Sequence, residues 1–406
     1  MLRFAFVAIV LAGCQSAGPP APPPPPTPVT PPPVRAASPQ PIRAGACGTQ
    51  QAFAFGPPID YAPPPGASGA LAIGYLNKDA PIDLIVGGTD DRGVATLGVM
   101  LGNGDATFKP PIAYELLPGA EARSIALTDF DTDEDLDVVS AGGSGPPEIF
   151  LNNGDGTFGA AVALPKGPNE QRAGHAVSVQ VADIHGDAHP DVVTYSGGGF
   201  DVWHDQGHAS FIASTLPAVG GLDRGAGLAL ADFDRNGATD LAVAGTDHAT
   251  GNGAIVVMLG KRGVFAPAVK YATAITGDAT SIAAADFDGD GKIDLAASFV
   301  GAIAVVHGKG DGTFGAATIL PTAGAVEGAA LLAADLDGDN RADLIVTARG
   351  GLAVYRANAT GFDPPVMLPG ADLGQVAAGD FRGDHLLGLA ATRKDGHATI
   401  WPASCR

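Results

Sequence analysis

Basic residues are scarce in this chain of 406 residues. Lys and Arg together number 23, against 43 Asp and Glu, which gives a formal net charge of −20. Proteins that bind nucleic acids neutralise phosphates with clustered Lys and Arg side chains. The composition therefore excludes a nucleic-acid partner.

Helical periodicity and common catalytic signatures are missing as well. The recurring apolar runs are short, rich in Ala, Val and Ile, and bounded by Gly and Asp. Such runs are typical of β-strands, and no repeat segment shows a convincing period of 3.6 residues. Neither G-x-S-x-G nor H-E-x-x-H occurs. The sequence thus predicts an all-β protein and offers no catalytic residues.

The N-terminus carries the only apolar segment with a targeting pattern. Arg3 precedes the apolar run Phe4–Ala12, and the tetrapeptide Leu11-Ala12-Gly13-Cys14 follows. This order indicates a secretory signal, and the tetrapeptide resembles the bacterial lipobox, whose cysteine is lipidated. We expect residues 1–13 to be a lipoprotein signal peptide and Cys14 to carry the lipid. The alternative is an ordinary signal peptide that contains a cysteine.

The segment after Cys14 predicts where the protein lies. Gln15 replaces the Asp that would retain a bacterial lipoprotein in the inner membrane, so we expect the outer membrane or cell surface. Residues 14–46 are rich in proline, which favours an extended, disordered tether. Its densest part, residues 19–41, could reach roughly 70 Å at ~3.1 Å per residue. Contact with the membrane is expected only through the lipid.

An aspartate-rich loop occurs seven times. Its starts lie 54, 54, 49, 54, 49 and 45 residues apart, a period typical of propellers and other repeat proteins. Each of the first six copies predicts four antiparallel strands with a Phe-containing turn, which is one propeller blade. The loops are Tyr75–Asp83, Asp129–Asp137, Asp183–Asp191, Asp232–Asp240, Asp286–Asp294, Asp335–Asp343 and Asp380–Gly388.

The loops and turns resemble the FG-GAP/VCBS repeats of integrin α-subunit propellers and of secreted bacterial proteins. The turns Phe158-Gly159 and Phe314-Gly315 carry the resemblance together with the Asp loops. It implies that residues 47–406 form a seven-bladed β-propeller of four-stranded antiparallel blades. The recurring turn phenylalanines are expected to pack between neighbouring blades.

The ends of the repeat region predict how the ring closes. The sequence Phe55–Tyr61 is similar to the fourth-strand region Phe108–Tyr114 of the first copy, whereas the last copy lacks a fourth strand. We therefore expect an N-terminal strand to complete the last blade, which removes exposed sheet edges. Cys47 and Cys405 flank this closure, and an oxidising compartment favours a disulfide between them over two unpaired thiols.

Loop positions 1, 3, 5 and 9 supply the oxygen ligands that calcium prefers, and the carbonyl of Lys292 would supply position 7 of the fifth loop. We expect structural calcium in four loops. Their predicted ligands are Asp129, Asp131, Asp133 and Asp137; Asp232, Asp234, Asn236 and Asp240; Asp286, Asp288, Asp290 and Asp294; and Asp335, Asp337, Asp339 and Asp343.

Three loops depart from this pattern. The third keeps Asp183, Asp187 and Asp191, but His185 at position 3 is a poor calcium ligand, so a weakened site is expected. The first begins with Tyr75 and lacks the first carboxylate. The seventh has Arg382 at position 3, which would replace an ion, and Gly388 at position 9. We expect no calcium in the first and seventh loops.

Histidines are concentrated in the third copy. They form either a transition-metal or catalytic patch or a set of solvated loop side chains, and the sequence favours the second reading. The five residues are His175, His185, His189, His204 and His208.

Taken together, the features predict a monomeric, surface-anchored, calcium-stabilised propeller that binds protein or glycan partners without catalysis. A structural protein of the cell envelope is one alternative. A polysaccharide lyase or hydrolase on the same scaffold is the other, although no set of acid, base and basic groups for it is legible. Fold alone does not select among these functions.

Overall fold

A computed structural model of the chain describes Cys47 and residues 53–61, 67–90, 92–167, 178–196, 199–216, 222–322 and 330–405. The predicted signal peptide, the lipidated Cys14 and the tether up to residue 46 lie outside these residues. Within them, no helix has the length and apolar character needed to cross a bilayer.

The described residues form seven four-stranded antiparallel sheets and three two-stranded ribbons, without an α-helix. Two short strands come first, β1 (Phe53–Phe55) and β2 (Ile59–Tyr61). Blade 1 contains β3 (Ala67–Gly74), β4 (Asp83–Thr89), β5 (Ala95–Met100) and β6 (Ile112–Glu115); blade 2 contains β7 (Ala120–Thr128), β8 (Asp137–Gly143), β9 (Glu148–Phe150) and β10 (Val162–Ala163); blade 3 contains β11 (Ser178–Ala182), β12 (Asp191–Ser196), β13 (Gly199–Asp205) and β14 (Phe211–Thr215).

The remaining blades follow the same order. Blade 4 contains β15 (Leu222–Ala231), β16 (Asp240–Asp247), β17 (Asn252–Met258) and β20 (Val269–Thr276), with the ribbon β18 (Gly260–Lys261) and β19 (Val264–Phe265) between the last two; blade 5 contains β21 (Ala279–Ala285), β22 (Asp294–Phe299), β23 (Ala302–Val306) and β24 (Thr318–Pro321); blade 6 contains β25 (Leu331–Ala334), β26 (Asp343–Ala348), β27 (Gly351–Tyr355) and β30 (Val366–Pro369), with the ribbon β28 (Ala357–Asn358) and β29 (Gly361–Phe362); blade 7 contains β31 (Leu373–Gly379), β32 (Gly388–Arg393), β33 (Ala398–Trp401) and β2, and β34 (Ala403–Cys405) ends the described chain.

The first strands of neighbouring blades contact one another all the way round, so they form the inner ring of the propeller. They surround a narrow central channel of about 240 Å³. Its lining is uncharged and mostly polar, with Ser124, Gln180, Ser281 and Gln375 contributing from four different blades. The second and third strands of each blade are buried, because both of their faces are covered by adjacent blades.

The turn phenylalanines pack between blades, as the sequence predicted. Each one lies against the apolar residue at position 2 of the preceding blade's Asp loop. Phe314 of blade 5 contacts Phe233 of blade 4 with ring centroids 5.5 Å apart. Phe211 and Phe130 repeat this arrangement at 5.4 Å between blades 3 and 2. Edge-to-face pairs of this kind add to the stabilisation from burying the rings.

The N-terminal strand closes the ring as predicted. Strand β2 pairs with β33 and supplies the fourth strand of blade 7. Phe55 pairs with Ala403 across the β1–β34 ribbon, just as Phe108 pairs with Gly102 in blade 1. Beside this ribbon Cys47 and Cys405 form a disulfide with an S–S distance of 2.04 Å. The first and last described segments of the domain are therefore joined both by hydrogen bonds and covalently.

We expect the disulfide to hold the two chain ends of blade 7 together. The double variant Cys47→Ser/Cys405→Ser should lose about 2–5 kcal/mol of unfolding free energy, the usual cost of removing a native disulfide. Urea unfolding of the variant and of the oxidised wild type would measure the difference. Peptide mapping that finds Cys47 and Cys405 alkylated in the native, unreduced protein would contradict this expectation.

Candidate metal centres

The Asp loops connect the first and second strands of each blade, and their first aspartate fixes the turn. In the fifth loop, Asp286 accepts the backbone N–H groups of Gly289 at 2.7 Å and Gly291 at 2.8 Å. Both glycines have a φ of 78°, a region in which side chains cause strain. Asp129, Asp183, Asp232, Asp335 and Asp380 accept N–H groups of their own loops in the same way.

The aspartate at position 9 of the loop is buried and links the loop to the third strand, and we call it the joint aspartate. The Oδ2 atom of Asp294 accepts the N–H of Phe287, at position 2, at 3.0 Å, and its Oδ1 atom accepts the N–H of Gly308 at 2.7 Å. Gly308 follows the third strand, so one carboxylate ties the loop to that strand. The same pair of bonds is made by Asp83, Asp137, Asp191, Asp240, Asp294 and Asp343, all fully buried.

This joint role was missed by the sequence reasoning, which treated position 9 only as a metal ligand. A signal for it existed in the first loop. That loop lacks the first carboxylate yet keeps Asp83, which donors from Leu76 and Gly102 engage at 2.7 and 2.8 Å. An aspartate retained where calcium is not expected points to a structural function of its own.

The third position provides the test of whether the loops fit a cation. One carboxylate oxygen of Asp131 and one of Asp337 are buried without a hydrogen-bond partner. Buried polar atoms are nearly always paired, so these oxygens fit an absent positive ligand. Donor atoms of three carboxylates lie within 4.8 Å of one another in each of three loops: Asp129, Asp131 and Asp137; Asp232, Asp234 and Asp240; and Asp286, Asp288 and Asp290.

The remaining predicted ligands have clear partners. The position-5 residues Asp133, Asn236, Asp290 and Asp339 each accept the N–H two residues further on. These bonds leave further lone pairs free, because each carboxylate or amide oxygen has two. The residues of the second, fourth, fifth and sixth loops therefore fit a hard dication such as Ca²⁺, which prefers six to eight oxygens.

Burial raises the pKa of the joint aspartates in the ion-free protein. The pKa rises to about 6 for Asp137 and to about 7 for Asp240 and Asp343, mainly because the buried carboxylates lose hydration. Neighbouring loop carboxylates raise these pKa values further. A bound cation would offset both effects, since it stabilises the ionised form.

In two loops a basic side chain that the sequence reasoning missed approaches the predicted ligands. His307 lies 3.1 Å from Asp294 and 3.4 Å from Asp288, and its hydrogen bond to Asp294 raises the pKa of the imidazole. Arg356 lies 3.4 Å from Asp337. Both residues directly follow the third strand of their blade, where blades 1, 2 and 4 have leucine. The strand register could have identified them once the blade was known.

The first, third and seventh loops differ from the other four. In the first, Tyr75 is 51% exposed and Asn77 donates to Asp79 at 2.7 Å. In the seventh, the Nε atom of Arg382 lies 3.9 Å from Asp384. In the third, His185 faces Asp191 at 3.0 Å. Whether calcium occupies any loop stays a prediction.

A separate cleft lies between blades 1 and 2, with a volume of about 1160 Å³. Tyr114, Glu115, Glu121 and Ala160 are among its lining residues. The hydroxyl of Tyr114 accepts the N–H of Phe158 at 3.0 Å, which fixes the ring against blade 2. Glu115 pairs with Arg92, and Glu121 pairs with Arg123 at 2.6 Å. The cleft thus combines apolar walls with two solvent-accessible carboxylates.

The sequence matches the family described as FG-GAP-like repeat over residues 129–194, 237–297, 295–346 and 335–390. These regions cover more than half of the chain, and the chain belongs to this family. Among curated proteins, none matches it in sequence.

Two solved structures share the fold. One is a lectin of Agrocybe aegerita whose structure concerns specific recognition of non-reducing terminal N-acetylglucosamine; it is 18% identical, has a TM-score of 0.55, and the match covers 86% of this chain and 97% of the lectin. The other is BBS1N in complex with ARL6DN, at 16% identity and a TM-score of 0.55, with 86% of this chain and 96% of that chain covered. At these identities the likeness establishes the propeller fold alone.

If the loops bind calcium, the stabilisation should depend on pH in a defined direction. The pKa values of Asp240 and Asp343 lie near 7 in the folded, ion-free protein, above the ordinary value of 3.8. Their contribution to stability is therefore present below about pH 4 and is lost as pH rises through about 7. Calcium needs the ionised carboxylates, so its effect on Tm should be small at pH 5 and large at pH 8.

Thermal unfolding with excess calcium and with chelator, from pH 5 to pH 8, would measure this effect. Asp290→Asn should reduce the calcium-dependent shift in Tm, because it removes the charge of one predicted ligand in the fifth loop. The matched variant Asp384→Asn, in the seventh loop, should leave the shift unchanged. A chelator without effect on Tm at pH 8 would rule out calcium as a stabilising ligand.

Proposed function

We propose that this propeller is a non-catalytic binding module for glycans, or for proteins through the same surface, stabilised by calcium and held at the cell surface by a lipid on Cys14. The observation that carries the proposal is the cleft between blades 1 and 2. At about 1160 Å³ it has room for a short saccharide or a peptide loop.

The chemistry of the cleft suits sugars. Glu115 and Glu121 can accept hydrogen bonds from sugar hydroxyl groups, and exposed backbone near Gly93 and Gly159 adds further polar atoms. Leu117 and the ring of Tyr114 offer apolar surface for the C–H face of a pyranose. The Agrocybe aegerita lectin, described as recognising terminal N-acetylglucosamine, supports a glycan ligand for a propeller of this shape.

Calcium and the lipid play supporting parts in this proposal. A dication in each of the four acidic loops would stabilise the loop conformation, because it neutralises carboxylates that otherwise repel one another. The lipid and the proline-rich tether would present the ring to ligands outside the cell. Two alternatives remain: a structural protein of the envelope, and an enzyme acting on polysaccharides.

Filling the cleft tests the proposal. Ala160 is exposed and lines the cleft, so Ala160→Trp should block it without entering the core. Ala316 occupies the equivalent place in blade 5 and is also exposed, which makes Ala316→Trp the matched control. On a glycan array and in protein pull-downs with calcium present, Ala160→Trp should lose at least ~10-fold in affinity, while Ala316→Trp should bind like wild type.

Other outcomes separate the alternatives. Binding that survives Ala160→Trp would place the ligand elsewhere and refute the role of the cleft. No binding to glycans or proteins would favour the envelope protein. Turnover of a polymeric sugar would favour the enzyme.

A further inference from the structure

Blade 3 places two imidazoles where the other blades have carboxylates and leucines. His185 stands at position 3 of the third loop, and His204 lies near the end of the third strand β13, at the place that Leu101, Leu151 and Leu259 take in blades 1, 2 and 4. We propose that His185, Asp191 and His204 form a binding site for a transition-metal dication such as Zn²⁺, instead of calcium. This proposal is independent of the binding function proposed above.

The three side chains converge on one point. The Nδ1 atom of His185 lies 3.0 Å from one oxygen of Asp191, and the Nδ1 atom of His204 lies 3.5 Å from the other. The two imidazole rings meet edge to face with centroids 3.4 Å apart. Their donor atoms all lie within 4.8 Å of one another. Tetrahedral Zn²⁺ with bonds of ~2.0–2.1 Å needs ligand atoms roughly 3.3 Å apart, and each imidazole lies near this spacing from its own oxygen of Asp191.

The hydrogen bonding of His204 supports an ion between these groups. Its Nε2 atom is 2.7 Å from the hydroxyl of Ser214, whereas its Nδ1 atom is buried without a hydrogen-bond partner. With Nε2 protonated and donating to Ser214, the Nδ1 lone pair faces the Asp191 carboxylate. Two electron-rich atoms repel at this distance unless a cation lies between them. A metal-bound histidine characteristically donates its other N–H to such a partner.

Asp191 can serve both the fold and the ion. Its oxygens accept the N–H groups of Ile184 at 2.9 Å and Asp205 at 3.1 Å. The second lone pair of Oδ1 stays available to an ion, whereas Oδ2 also lies within hydrogen-bond distance of His185, which an ion would displace. The carboxylate is fully buried, so these bonds hold it in place. His185 is 31% exposed and His204 17%, which leaves a path for the ion from solvent.

The type of ligand atom distinguishes this site from the predicted calcium sites. Imidazole nitrogen suits zinc, copper and nickel, whereas calcium prefers oxygen. Blade 5 has a histidine at the place of His204, but His307 is the one imidazole in its cluster with Asp288 and Asp294. In blade 3 two imidazoles and a carboxylate meet. Three protein ligands leave a coordination position for water or another small ligand.

Other blades provide the variants that test the site. His185→Asp installs the residue found at position 3 of the second, fourth, fifth and sixth loops, and His204→Leu installs the residue found in blades 1, 2 and 4. Both changes keep side chains that the same fold already accommodates. Ser214→Ala removes only the partner of His204. His385→Ala, at a side chain 90% exposed, is the control.

Chelator-treated full-length protein is titrated with Zn²⁺ by calorimetry, and with Co²⁺ by absorption to report tetrahedral coordination. The wild type and His385→Ala should bind one equivalent more than His185→Asp or His204→Leu. Ser214→Ala should retain that equivalent with affinity weakened ~10–100-fold, the usual cost of losing an outer partner. His185→Asp should instead gain one equivalent of calcium.

Equal zinc stoichiometry in the wild type and in both histidine variants would overturn the proposal. It would reduce the cluster to a hydrogen-bonded His–Asp group. Unfolding curves in chelator distinguish a lost ligand from a lost fold, because all four variants should then unfold cooperatively.

Discussion

The structure depends on one buried carboxylate that is repeated in six of the seven blades. In each, the aspartate at position 9 accepts one N–H from position 2 of its own loop and another from the end of the third strand or just beyond it. Position 2 then reaches the next blade: the carbonyl of Phe233 accepts the N–H of Gly312 at 3.1 Å, and its ring packs on Phe314. The carboxylate therefore organises the blade and positions the group that contacts its neighbour.

Blade 7 lacks this carboxylate and has other contacts in its place. Gly388 stands at position 9, where even a Cβ would lie 2.9 Å from the carbonyl of Trp401. The N–H of Phe381 turns instead to the carbonyl of Gly379 at 3.1 Å. At this blade the chain adds the disulfide between Cys47 and Cys405. Ring closure thus coincides with the one blade that has no carboxylate joint.

The repeat made the fold predictable, because each blade's pattern is local in sequence and its period fixes the number of blades. The closure by β2 was predictable from the likeness of residues 55–61 to residues 108–114. The side chains that approach the carboxylates of the acidic loops were not predictable. His307 and Arg356 each lie 13 residues beyond the last aspartate of the loop and reach the carboxylates only through the register of the second and third strands. The seven loops therefore resemble one another in sequence more than in the chemistry around them.

The central claim is that the buried aspartate holds the blade through two accepted hydrogen bonds. Blade 1 tests it best, because its loop lacks the first carboxylate of the pattern and is expected to bind no calcium. Burial raises the pKa of Asp83, so replacing the carboxylate by a neutral amide removes the free-energy cost of burying a charge. The same amide has one acceptor oxygen, so it leaves one of the two buried N–H groups unpaired. Urea unfolding in chelator should show Asp83→Asn less stable by about 1–3 kcal/mol, and the exposed Asp79→Asn unchanged. An Asp83→Asn protein as stable as Asp79→Asn would contradict the account.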